Sequence, residues 1–299
     1  MSVRRCRPLG CSELVAPHAS AKCGKAAMPT LAASCTGPAS HTELVGKPKT
    51  DMPRIEVRRA EQRFLTRTDW AETHHSFSFG EHYDPGNVSF GPLLVNNDDV
   101  VQAGAGYADH PHRDAEIITW VLSGSLVHQD SRGNSGLIYP GLAQRMSAGS
   151  GIVHAERNDA YRIDPARPVE PVHFIQMWIM PDESGVTPSY QQHELALGDL
   201  ERSWVPVASG RHRDAVVSLG SRGSTLWCGV LRTGTSRTLP GGDLLHVYLA
   251  RGIVDVETIG PLEAGDSLRL SDSAQPRLSA RAEAEVLVWQ MDREQGELT

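Results

Sequence analysis

The stretch "HPHRDAE" (residues 110–116) sets two histidines two places apart and follows them with two carboxylates at the same interval. On one extended strand, side chains at i, i+2, i+4 and i+6 share a face, so His110, His112, Asp114 and Glu116 are expected to project together. A second polar island, "GSGIVHAERN", puts His154 and Glu156 on one face by the same rule. Three neutral imidazoles and a carboxylate suit a borderline divalent ion such as Fe(II), Mn(II), Ni(II), Cu(II) or Zn(II). Buried among apolar strand formers without an ion, so many titratable groups would be costly to desolvate. Such an ion keeps a net charge of about +1, and an octahedral shell leaves two open positions for a monoanionic enolate or phenolate and dioxygen. A carboxylate at the site, Glu156 or Glu116, is a candidate general base for the substrate hydroxyl.

Alone, H-x-H is weak evidence, because histidine pairs often sit on solvated edges. The second island strengthens it: 41 residues separate His112 from His154, enough for strands to leave and return. The other histidines read as ordinary. His74, His75 and His82 lie in a Ser- and Gly-containing stretch and are expected in loops. His128 follows a turn and is expected to be exposed or locally satisfied. His173, His193, His212 and His246 have no second histidine two places away.

The elements that must carry these residues are short strands. From residue 88 onward, runs rich in β-branched and aromatic residues alternate with turn signals. "EIITWVLSGSLVHQDSRGNSG" and "LLHVYLARGIVDVETIG" share one strand–turn–strand shape, aligned at Gly124 and Gly252, and read as two hairpins of an internal repeat. "HFIQMWIMP" (173–181) reads as a buried strand, and "GDLERSW" (198–204) as a single helical turn. The expected fold class is all-β: two tandem barrels at 52–185 and 186–292, then a short tail, 293–299. Counting along the second repeat from Gly252 and Gly265 places Thr238, Pro240, Leu244 and Leu278 where the first repeat has His110, His112, Glu116 and His154. The second barrel is therefore expected to lack the site and to pack against the first.

Residues 1–51 differ in composition. They hold all four lysines and four of the five cysteines, with seven basic against three acidic residues, whereas the remainder has 22 against 33. They are expected to be a disordered extension, or upstream sequence ahead of a start at Met52. Their cysteine spacings contain no C-x2-C pair and so give little support to zinc. The acidic body argues against direct nucleic-acid binding. No apolar run is long enough to span a membrane. The lone Cys228 of the body points to a reducing, cytoplasmic setting.

The stretches "GAGYADHPHRDAE" and "PGLAQRMSAGSGIVHAERN" resemble the two cupin motifs. More narrowly, "HPHRDAEIITWVLSGSLVHQDSRGNSG", "MSAGSGIVHAE", "QMWIMPDESGVTPSYQQ" and "DWAETHHSFSFGEHYDP" resemble the pirin family, over about residues 54–290 and most densely over 69–192. That resemblance implies two cupin barrels in tandem with one metal, in the N-terminal barrel. Its implied ligands are His110, His112, His154 and Glu156. Many cupins use the first-motif glutamate instead, here Glu116, and strand parity does not choose between the two carboxylates. Glu156 follows from the family match, with Glu116 as an alternative ligand or a group bonded behind the ligands. The resemblance further implies a quercetin 2,3-dioxygenase, which opens a flavonol ring with O2 and releases carbon monoxide. Fe(II) is the first choice of metal, with Ni, Co, Mn, Cu or Zn as alternatives. Trp120 and Trp178 are candidates for an aromatic pocket, although core packing is the simpler expectation for both. The alternative function is a non-catalytic, metal- or redox-sensing regulator that binds protein partners.

Overall fold

The computed structural model describes residues 54–271 and 275–293. The expectations for residues 1–51, for a start at Met52 and for the tail past residue 293 lie outside this range. The described chain is built from strands that form two barrels, each a seven-stranded sheet facing a four-stranded one. In the first barrel the large sheet runs Ser189–Glu194, Leu142–Ser147, Glu116–Ser123, Val172–Ile179, Leu93–Val101, Ala71–His75, Phe64–Arg67. The small sheet runs Gly106–His112, Ile152–Arg157, Leu126–Asp130, Ser135–Ile138. In the second barrel the large sheet runs Arg54–Arg58, Ser267–Ser271, Leu244–Arg251, Ala284–Met291, Ser224–Leu231, Val205–Ser209, Val217–Ser218. Its small sheet runs Ser236–Thr238, Arg277–Ala280, Ile253–Val256, Gly260–Glu263. The expected pair of tandem cupin barrels is present.

Two sequence expectations change. The segments on either side of Gly124 are not the two arms of a hairpin. Glu116–Ser123 pairs with Leu142–Ser147 and Val172–Ile179, whereas Leu126–Asp130 pairs with Ile152–Arg157 and Ser135–Ile138. The chain turns a corner from one sheet to the other at Gly124, whose φ is 75° and whose missing Cβ would lie 2.9 Å from the Pro171 carbonyl oxygen. Gly252 repeats the device at φ 85°, where a Cβ would strike the Glu283 carbonyl. Only glycine combines this backbone conformation with such close approach. The repeat is real, but its unit is a sheet-crossing corner.

The barrel limits change as well. Arg54–Arg58, within the expected first barrel, pairs with Ser267–Ser271 of the second. Ser189–Glu194, within the expected second barrel, pairs with Leu142–Ser147 of the first. Each half thus supplies an edge strand to the other.

The strand "EIITWVLS" is buried almost throughout because both of its faces are covered. Ile117, Thr119 and Val121 face the barrel interior. Ile118, Trp120 and Leu122 enter a core shared with Leu226, Cys228, Tyr248 and Trp289 of the second barrel. Several polar groups in this junction are paired. Trp120 Nε1–H donates to Glu285 at 2.6 Å, and Asp98 accepts from Tyr248 (2.6 Å), Arg63 (3.0 Å) and His173 (2.6 Å). The second barrel is filled by aliphatic residues, among them Leu245, Val247, Leu249, Val286, Val288 and Leu278. Leu278, the sequence counterpart of His154, is a core residue there. Among the described residues, no helix is long and apolar enough to cross a membrane.

Candidate metal centre

Two neighbouring strands of the small sheet position the three histidines. Gly106–His112 and Ile152–Arg157 pair with His110 directly opposite His154, and His112 opposite Ile152. Their imidazoles converge, with ring centroids 4.8 Å apart for His110–His112, 4.4 Å for His110–His154 and 4.8 Å for His112–His154. One ligand nitrogen from each lies within 4.8 Å of the others. The Nε2 atoms of His112 and His154 are buried and have no hydrogen-bond partner. His110 Nδ1 lies 2.7 Å from the Ala108 carbonyl, which fixes the proton on that nitrogen and leaves the Nε2 lone pair free. Converging lone pairs that meet no protein donor are what a cation requires, so the cluster fits a metal ion.

The electrostatics agree. Burial, reinforced by His154 and His110 and opposed by Glu156, lowers His112 to about 3. Burial, reinforced by His110 and His128 and opposed by Asp130, lowers His154 to about 3. Both rings are neutral near pH 7, as metal ligation requires.

Glu156 follows His154 on the same strand, but a bulge separates them in the ladder. Its carboxylate groups with His154 and His128 within 4.8 Å, not with the trio of His110, His112 and His154. Gln176 Nε2–H donates to one carboxylate oxygen at 2.6 Å, and Thr119 lies 3.3 Å from the other. Gln176 and Thr119 lie in one cross-strand row with His75, Asn97, Gln144 and Gln192. This polar row crosses the large sheet between two apolar clusters. Val101, Val121, Leu126, Ile138 and Phe174 lie in the first; Ile117, Met146 and Ile152 lie in the second. One step along from the row, Asp99 accepts from Thr73 (2.5 Å) and Tyr107 (2.7 Å). Burial pushes Asp99 up to about 7 against those two bonds, with further upward pushes from Asp98 and Glu156.

Glu116 is placed elsewhere, which corrects the expectation of an alternative or supporting ligand. The strand that carries His110 and His112 ends at His112. Asp114 takes φ 48° and accepts from the Gly185 N–H at 2.6 Å. Past this turn, Glu116 begins a strand of the opposite sheet and shares the parity of Ile118 and Trp120, which face the second barrel. Its carboxylate accepts from Ser147 Oγ at 2.5 Å and lies 3.7 Å from Arg145, near Gly220. Burial raises its pKa, while Ser147, Arg145 and the Gly220 backbone oppose the rise.

The histidines set aside in the sequence divide. His75 ends a strand, is buried, and bonds Asn97 and Thr66 at 2.9 Å each. His128 is fully buried beside the centre: its Nδ1 lies 3.4 Å from His154 Nδ1, and its ring stacks on Tyr190 at 4.7 Å. His128 and Asp130 repeat the two-residue spacing of the ligands, and they face the strand of His154, but only the pairing of distant strands reveals this. Trp178 stands edge-on to His112 at 4.7 Å and to Phe79 at 5.5 Å, and Phe79 stacks on His75 at 5.1 Å. This aromatic wall begins at the centre. Trp120, in contrast, belongs to the junction of the barrels.

Comparison with known proteins agrees with this architecture. The model of the family described as Pirin matches residues 56–179. A Mycobacterium tuberculosis protein, provisionally named a quercetin 2,3-dioxygenase, is 48% identical over 244 residues, covering 81% of this chain and 97% of that protein. The quercetin 2,3-dioxygenase of Escherichia coli is 45% identical over 138 residues, 46% of this chain and 57% of that one. Among solved structures, the bacterial pirin YhhW of Escherichia coli, in complex with nickel(II), has a TM-score of 0.71 at 32% identity and covers 80% of this chain and all of that one. With its two barrels and a histidine cluster in the first, this chain belongs to the pirin family.

Proposed function

We propose that this chain is a metal-dependent dioxygenase of the quercetin 2,3-dioxygenase kind, which opens a flavonol ring with O2 and releases carbon monoxide. The observation that carries the proposal is the convergence of His110, His112 and His154, with two buried Nε2 lone pairs unmet, beside an aromatic wall. The names of the relatives support it. In this reading His110, His112, His154 and Glu156 hold one divalent cation, Fe(II) first and Ni, Co, Mn, Cu or Zn as alternatives. When bound, the cation supplies a Lewis acid that favours the ionised flavonol hydroxyl and orients it beside O2. Glu156 is the candidate acceptor of the hydroxyl proton, held by Gln176 and Thr119. Trp178 and Phe79 offer flat apolar faces to the fused rings of a flavonol. The second barrel, aliphatic inside, supports the first through their shared core.

The test is to load the purified protein with Fe, Ni, Co, Mn or Cu in turn, add quercetin in air, and follow its visible absorption together with released carbon monoxide. Loss of absorption with about one carbon monoxide per quercetin is expected, and His154→Ala abolishes it. Absence of turnover with every metal would overturn the proposal in favour of a regulator that binds protein partners.

A further inference from the structure

Behind the histidine trio, the strand Leu126–Asp130 lies beside the strand of His154, with Asp130 directly opposite His154 and His128 opposite Glu156. His128 Nε2 lies 3.3 Å from Asp130 Oδ2, and its Nδ1 lies 3.4 Å from His154 Nδ1. Asp130 is an acceptor on every side: it also receives the backbone N–H groups of Arg132 (2.9 Å) and Asn134 (3.0 Å) and the Asn134 side-chain amide. A carboxylate so placed can only accept, so the proton of His128 sits on Nε2. The lone pair of His128 is then on Nδ1 and can only accept from His154 Nδ1–H. That leaves the lone pair of His154 on Nε2, the buried atom without a partner that faces His110 and His112.

We infer that His128 is a positioning residue for the metal centre: with Asp130 it fixes the tautomer and ring plane of His154, so that Nε2 is presented to the cation. The inference rests on the proposed metal site. It extends the common pattern in which a ligating histidine hands its other N–H to an oxygen acceptor, because here a second imidazole stands between ligand and carboxylate. His128 has little freedom to leave this role. It is fully buried, its ring is stacked on Tyr190, and Asp130 is pinned by a tight turn.

The test uses the full chain with Ni(II) and Co(II) as probes. Equilibrium titration should show both metals bound about 10- to 100-fold more weakly in His128→Phe, which keeps a flat ring but removes the acceptor. His128→Asn, whose carbonyl can accept from His154 and whose amide can donate to Asp130, should recover most of the loss. Asp130→Asn should weaken binding less than His128→Phe. Proton NMR of the Co(II) form should show a strongly shifted, slowly exchanging N–H from His154, absent or fast-exchanging in His128→Phe and restored in His128→Asn. A role in packing alone would not move that signal. If His128→Phe does not fold, His128→Asn and Asp130→Asn carry the test through the same signal and titrations.

Unchanged affinity and an unchanged shifted proton in the His128 variants would overturn the inference. So would absence of that proton in the wild type combined with lost affinity in His128→Phe, because His128 would then be a ligand itself. His154→Ala separates this outcome from failure of the site: wild-type metal affinity in that variant would remove the metal centre, whatever His128 does.

Discussion

Gln176 offers the sharpest quantitative test of how Glu156 is held. Its amide donates to the Glu156 carboxylate at 2.6 Å and accepts from Trp178 Nε1–H at 3.1 Å, so Gln176→Leu strands both partners. Loss of a hydrogen bond to a charged group costs about 1.5–3 kcal/mol, and loss of a neutral one about 0.5–1.5 kcal/mol. Thr119 still reaches the other oxygen of Glu156, and the new methyl groups recover part of the cost. The metal-free variant should therefore be destabilised by about 2–4 kcal/mol. Urea denaturation at pH 7.5 measures this. A double-mutant cycle with Glu156→Gln should show a coupling of about 1 kcal/mol or more, since the two residues touch. On the proposed ligation of the cation by Glu156, the loss should shrink in saturating Ni(II). A loss below about 0.5 kcal/mol with no coupling in the cycle would refute the account of Gln176 as the group that holds Glu156.

Three further outcomes are expected. Glu116→Gln should leave Ni(II) affinity within about twofold of wild type by equilibrium titration, since this carboxylate lies against Ser147 and Arg145, away from the histidines. Asp99 is raised to about 7 when folded, so its contribution to stability is full below pH 4 and is lost as pH rises towards 7. Asp99→Asn removes that dependence: relative to wild type the variant should gain up to about 4 kcal/mol between pH 4 and pH 8 by denaturation at each pH. Trp120→Ala should cost about 3–5 kcal/mol, because the indole is buried in the junction and its N–H satisfies Glu285; calorimetry should show the whole unfolding transition displaced to lower temperature.

Much of the centre could be read from residue types and intervals. His110, His112 and His154 stand at alternate positions on strands whose neighbours are visibly apolar, so their inward direction follows from local parity. Glu116 misled because parity was carried through Asp114. A single residue at positive φ ended one strand there and let the next begin in the opposite sheet, and aspartate tolerates that conformation without advertising it. The corners at Gly124 and Gly252 resemble hairpin turns for a similar reason: both join two alternating segments through a glycine, and only long-range pairing tells them apart. His128, Gln176 and Thr119 could not be identified locally, because each acts on a residue at least twenty positions away. The fold class needed none of this information, since it depends on many short strands rather than on any one register.

Because Arg54–Arg58 and Ser189–Glu194 each complete the opposite half, the two barrels cannot be produced as independent fragments by a cut between residues 185 and 186. Either fragment would present a bare ladder of unmet N–H and C=O groups along 267–271 or 142–147, together with an orphan strand seeking a ladder. In a cell-free mixture those pieces should reassociate with each other, or lock reciprocally into swapped dimers. Fragment complementation would then rebuild the molecule from parts that aggregate alone.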